Sequence, residues 1–205
     1  MKLLDDGYFR TAGEIDPRVP NEFGVYAIRL RGGASLPEPF LSVRDGRNTR
    51  LIYIGQAEKQ TLQQRLLRNE LRARGNGTFF RSIGAVLGYR PPFASLAGRA
   101  RMQNYRFAPT DRSTIVDWID TNLEVSWAVV PQPEVHESEV TLMREHAPLL
   151  NLQHNPRALP ELALLRAECR PWAQDYPLPR CDCYVGDRFL SGAAINGPTS
   201  AAASE

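Results

Sequence analysis

Glu139, Arg65, Tyr26 and Tyr53 are the side chains in this sequence whose types could handle a phosphate ester. Cleaving a phosphodiester takes a nucleophilic water, stabilisation of charge on the phosphorane and help for the leaving oxygen. A divalent ion supplies Lewis acidity and has to be held by oxygen ligands. Glu139 is the best candidate ligand. Leu142 and Met143 follow at helical spacing, so the carboxylate would sit beside an apolar stripe. An acid there is costly unless it is paired or bound to a metal. By itself the pattern favours a salt-bridged or snorkelling glutamate. Glu137 lies off this pattern and reads as solvated, and His136 reads as a surface residue or as a group behind the site.

Arg65, between Leu62 and Leu66, lies at the edge of another apolar stripe. A guanidinium stays protonated and can bind two phosphoryl oxygens at once, which suits transition-state charge. The same position would also suit a structural or phosphate-positioning arginine. Arg68, Arg72 and Arg74 read as backbone contacts to nucleic acid. Arg81, past a helix break, is a second candidate for the catalytic arginine. A phenol such as Tyr26 or Tyr53 has an ordinary pKa near 10. It becomes a useful base only where a cation or metal lowers that value. Most strand tyrosines simply pack on their sheet.

The elements that must position these groups follow from local pattern. Residues 23–30 (FGVYAIRL) and 50–56 (RLIYIGQ) are rich in β-formers and read as two strands that could pair antiparallel. Between them, residues 31–49 carry Gly32-Gly33, Pro37, Pro39 and Asp45-Gly46, a long turn-rich connection. Thr61 caps a helix to about Ala73, with Leu62, Leu66, Leu67 and Leu71 inward. Arg74-Gly75-Asn76-Gly77 ends it, and Thr78 starts another helix. Residues 89–109 are rich in Pro and Arg and read as irregular. A short helix over 113–122, a third strand over 123–130 and a helix over 134–146 closed by Pro148 complete the pattern. A last helix covers 161–169.

Gly24-Val25-Tyr26 in the first strand and Tyr53-Ile54-Gly55 in the second resemble the paired motifs of the GIY-YIG nuclease family. Three further positions strengthen the resemblance: Arg65 in the helix after the second motif, Glu139 opening EVTLMREHAPLLN, and Asn151 closing it three residues after Pro148. Either tripeptide alone is a weak signal; five elements in order are a strong one. The resemblance covers about residues 22–155. It implies an α/β (α+β) fold, a small central antiparallel three-stranded sheet flanked by helices. A lead-in (1–21), an insertion (about 74–122), a C-terminal extension (156–191) and a disordered tail (192–205) would surround it.

The resemblance also implies roles. Glu139 would hold one Mg²⁺ or Mn²⁺, Arg65 would stabilise the phosphorane, and Tyr26 or Tyr53 would activate or orient water. Gly24 and Gly55 would allow close backbone packing or approach of substrate. Asn151 would hold the glutamate helix or an active-site residue by hydrogen bonds. The implied activity is hydrolysis of phosphodiester bonds in DNA, and the alternative is a weak or inactive nucleic-acid-binding module. One departure favours the alternative. Many members carry His or Tyr one helical turn after the arginine, where this sequence has Asn69, which cannot act as a base at neutral pH.

Charge is unevenly spread. Residues 44–106 hold 13 basic residues against 3 acids, a net +10, while the remainder holds 12 against 20, a net −8. Such a block can be the footprint of a polyanion. Phe79, Phe80, Tyr89, Phe93, Tyr105 and Phe107 are interleaved with its arginines, which fits a DNA-reading surface and a satellite core equally well. The sequence has no run of 18 apolar residues and no secretory signal pattern, so a cytoplasmic protein is expected. Cys169, Cys181 and Cys183 with His154 are a poor match to zinc-ligand spacing, and three late cysteines make no disulfide framework.

Overall fold

The computed structural model describes residues 2–97 and 104–174. Four strands make one antiparallel sheet: β1 (Arg10–Thr11), β2 (Gly24–Leu30), β3 (Leu51–Ala57) and β4 (Leu123–Val129), in the order β1-β4-β2-β3. The three longer strands match the expected ones. The fourth, β1, corrects the expectation of a three-stranded sheet. It lies in the expected lead-in and pairs Arg10 with Val125 and Thr11 with Glu124. A two-residue strand has no periodicity to read, and it forms because β4 offers it an edge.

β2 is buried on both faces. Tyr26, Ile28 and Leu30 join the larger core, whereas Val25 and Ala27 join a smaller one with Leu3, Phe9, Val135 and Met143. Successive side chains point to opposite faces of a strand, so one seven-residue run feeds both cores. The helix α5 (Val135–His146) lies against β2 and β3 on the smaller-core side. The opposite face is covered by α2 (Leu62–Gln64), α3 (Thr78–Val86), α4 (Pro109–Asn122) and α6 (Pro160–Gln174).

The connection over 31–49 is not all turn: it holds α1 (Phe40–Arg47), which ends on Asn48 in the left-handed region at φ 47°. Its glycines and prolines flank the helix closely enough to hide it, and Phe40 anchors it in the core. Helix α6 runs past its expected end at Cys169 and through Pro171. Tertiary contacts support that extension: the Ala94 and Leu96 N–H groups donate to the carbonyls of Trp172 and Ala173, and Ala173 is fully buried. The expected tail over 192–205, together with Cys181 and Cys183, lies outside the described residues. Among the described residues no helix is long and apolar enough to cross a membrane.

β3 is the outer strand, and its free edge is not left open. The Leu150 N–H donates to the Ile52 carbonyl at 2.7 Å. Asn151 then mimics one more rung of the ladder: its Oδ1 accepts from the Ile54 N–H at 2.9 Å, and its Nδ2 donates to the Ile54 carbonyl at 2.7 Å. Edge groups buried without such partners would each cost a lost hydrogen bond.

Candidate active site

Pairing of β2 with β3 sets the first two side chains. Tyr26 stands opposite Gly55 and Ile28 opposite Tyr53, so the two tyrosines are diagonal neighbours on one face. Their ring centroids are 6.2 Å apart. Gly55 has a specific reason to be glycine: the Tyr26 ring lies across it, and a Cβ there would overlap Cζ and the hydroxyl. At Gly24 a Cβ would overlap the Ala128 carbonyl oxygen of the neighbouring strand. Both glycines therefore serve close packing, one of them beneath a site tyrosine.

Arg65 enters from the helix after β3. Thr61 caps α2 with a reciprocal pair, its hydroxyl accepting from the Gln64 N–H while the Gln64 side chain accepts from the Thr61 N–H. From Arg65 to Glu70 the chain widens into a π-helical turn, marked by the Leu71 N–H reaching back five residues to the Leu66 carbonyl at 3.0 Å. The wider turn changes which residues share a face. Asn69, four after Arg65, donates to Gln60 at 3.0 Å. Glu70, five after it, comes into the site, fully buried and 2.6 Å from the Arg65 guanidinium. The returning loop presses on this turn: a Cβ at Gly75 or Gly77 would overlap Asn69, and at Gly77 also Glu70.

Glu70 is the centre of a small buried network. It accepts from the Phe79 N–H at 2.8 Å and the Phe80 N–H at 3.4 Å, both in the first turn of α3. The Tyr26 hydroxyl donates to it at 3.4 Å and accepts from Arg65 Nε at 3.4 Å. Sequence reading missed this residue. A signal was present, because Glu70 continues the Leu62, Leu66 series at four-residue spacing and so puts an acid on an apolar stripe.

Glu139 approaches from α5 on the other side. It is 8% exposed, and among the described residues no ion pair or hydrogen bond engages its carboxylate. Burial, opposed by Arg65 and assisted by Glu58, pushes its pKa up to about 7. Both phenols move the same way. Burial and then the Glu70 charge raise the Tyr26 and Tyr53 pKa values above 10, and Arg65 offsets only part of this. Neither tyrosine is tuned as a base by the protein alone.

A cleft of about 530 Å³ gathers these elements. Tyr53, Arg65, Glu139 and Asn151 line it, joined by Gln56, His136 and His154. Tyr26 is fully buried behind it, bonded to Arg65 and Glu70 rather than open to the cleft. The rings of His136 and His154 meet edge to face at 6.0 Å. Among the described residues no three His, Cys, Asp or Glu side chains converge as a metal cage. A lone carboxylate still suits a hard divalent ion, which commonly keeps several waters and takes its other oxygens from phosphate. The partnerless, buried Glu139 is what such an ion would satisfy.

The arginines expected to bind nucleic acid divide. Arg68 and Arg74 are exposed, beside Asn69 and Arg106 in a second depression. Arg72 does not fit that role: its side chain is 10% exposed and closed on Asp120, Asp16 and the Ala12 carbonyl. Arg81 is half-buried over the Tyr105 ring and bonded to Asn104, and it does not line the cleft. Phe79, Phe80, Tyr105 and Phe107 are buried, so these aromatics form core rather than a base-stacking surface. Cys169 is buried in α6, facing that core.

No curated protein and no solved structure matches the chain. The family model of the GIY-YIG catalytic domain does match, over residues 24–168, which takes in both motif strands, Arg65, Glu139, Asn151 and most of α6. The chain therefore belongs to the GIY-YIG catalytic-domain family.

Proposed function

We propose that this protein is a metal-dependent endonuclease that hydrolyses phosphodiester bonds in DNA. Domains of this family are generally nucleases, and the observation that carries the finer reading is Glu139. It is a buried carboxylate with no hydrogen-bond or ion-pair partner among the described residues, lining one cleft with Arg65 and Tyr53. A bound Mg²⁺ or Mn²⁺ would supply Lewis acidity and neutralise phosphate charge there. Glu139 would hold the ion. Arg65 offers its guanidinium to the phosphorane oxygens, the charge that develops only in the transition state. Tyr53, open to the cleft and protonated, orients the attacking water by hydrogen bonding. Tyr26 acts one step back, holding Arg65 against Glu70.

The test is cleavage of plasmid and duplex oligonucleotides with added Mg²⁺ or Mn²⁺. Glu139→Ala is expected to abolish cleavage and to keep DNA binding. Robust cleavage by that variant would overturn the metal assignment. The second reading, a binding module with weak or absent turnover, draws on two observations. Arg65 is closed on Glu70 at 2.6 Å, and Asn69 faces Gln60 rather than the cleft. Salt-dependent DNA binding by the unaltered chain, with no cleavage across several divalent metals, would select it.

A further inference from the structure

Among the described residues Glu139 is the only acid that lines the cleft, whereas three arginines do: Arg65, Arg166 and Arg170. The last two come from α6, outside the basic stretch of the sequence. Ala163, Arg166, Ala167 and Arg170 all line the cleft, and their spacing of three, four and seven residues makes one helix face. The adjacent face, about a quarter turn round the helix, carries Leu162, Cys169 and Ala173 into the core. α6 is thus fixed by its apolar side and presents small residues flanked by arginines to the cleft. Alanines leave a backbone room to approach, and the guanidinium stems supply reach.

Among the described residues neither arginine is spent on an acid. Among the described residues no carboxylate lies within ion-pair distance of Arg166 or Arg170, and Arg166 makes one bond, to the Ser82 hydroxyl at 3.3 Å. The nearby acid on α6, Glu168, pairs with Arg90 instead. Arg81 of α3 feels the charge of both arginines. Burial first, and then the charges of Arg166 and Arg170, lower its pKa despite opposing contributions from Tyr105 and Glu70. Like charges gathered without a counter-ion are unfavourable until an anion arrives. Four residues of α-helix advance about 6 Å, close to the separation of neighbouring phosphates along one strand.

We propose that Arg166 and Arg170 form a phosphate-binding wall that grips the nucleic-acid backbone beside the phosphate presented to Arg65 and Glu139. The assignment rests on the nuclease reading for its ligand, and it makes the C-terminal helix part of the substrate site. Two consecutive phosphates of one strand would be engaged, with no base read, so affinity gained here is independent of sequence.

The experiment is fluorescence anisotropy of a labelled duplex with the full chain in EDTA, titrated across salt. Each phosphate contact contributes about 0.9 to the slope of log affinity against log salt on duplex DNA. Arg166→Gln with Arg170→Gln is expected to lower that slope by about 2 and to weaken binding severalfold. Arg166→Lys with Arg170→Lys is expected to retain most of the slope, since charge is kept. Should the double Gln variant fail to fold by circular dichroism, the exposed Arg170→Gln alone is expected to lose about 0.9. A folded Gln variant with the unaltered slope would overturn this proposal and leave the nuclease reading standing. No salt-dependent binding by the unaltered chain would overturn both.

Discussion

At Glu139 the needs of the fold and of the site oppose each other. The carboxyl is 8% exposed, and burial lifts its pKa from 4.5 to about 7. Below pH 4.5 folded and unfolded chains both hold the proton, and the group is neutral to stability. Between those two values only the folded chain holds it, so stability falls as pH rises and the loss is complete above about 7. The gap corresponds to an upper value of about 3 kcal/mol. Glu139→Gln is therefore expected to melt several degrees above the unaltered protein at pH 8 in EDTA, with the difference vanishing near pH 4.5. Added Mn²⁺ should raise the melting temperature of the unaltered protein alone, because the ion binds the folded carboxylate. Equal melting temperatures at pH 8 would show that the buried charge is compensated by the protein itself. The motif glycines belong to the same scale. Their identity was visible in the sequence, but the reason for Gly55 was not, because it lies in the cross-strand register that carries Tyr26 over it.

The element that departs most from sequence expectation is the helix after β3. Leu62, Leu66 and Leu71 announce a helix, and a helix forms, but periodicity cannot announce a π-helical turn. One extra residue per turn moves Asn69 out and Glu70 in, so counting in steps of four from Arg65 names the wrong neighbour. Glu70 then joins two elements, fixing Arg65 on one and the first N–H groups of α3 on the other. Helix N-termini favour an acceptor of negative charge at that place. Removing one partner of a buried ion pair costs about 3–5 kcal/mol, because the other charge is left uncompensated. Glu70→Ala is expected to lose that much in urea unfolding, and cleavage with it. Glu70→Gln keeps an acceptor for Phe79 and should lose less stability while still freeing Arg65. A loss below about 1 kcal/mol in the alanine variant, a typical single neutral hydrogen bond, would mean that Glu70 does not brace the turn. By contrast, the glutamate helix and Asn151 were legible at this scale, since their signature is a linear spacing that folding preserves.

Over the whole molecule the charge asymmetry reads differently in space than along the chain. The basic stretch over 44–106 meets acids from the rest of the sequence: Arg50 meets Asp6 and Glu124, Arg72 meets Asp16 and Asp120, and Arg90 meets Glu168. Part of the +10 is thus internal cement, and a count of residues has no means of telling cement from footprint. Partnering does tell them apart. Arg72 ties the N-terminal segment to α4 with a nearly buried guanidinium, whereas Arg68 and Arg74 stand exposed. Arg72→Ala is expected to cost roughly 2–4 kcal/mol, discounted because Asp16 is half exposed. The salt slope of DNA binding should stay as it was. Arg68→Ala and Arg74→Ala should do the reverse, leaving the melting temperature unchanged and each reducing the slope by about 0.9. Urea unfolding and anisotropy on the same preparations separate the two classes. If Arg72→Ala lowered the slope with its stability intact, the arginine would be contacting phosphate after all, and the N-terminal segment would have to open to let it.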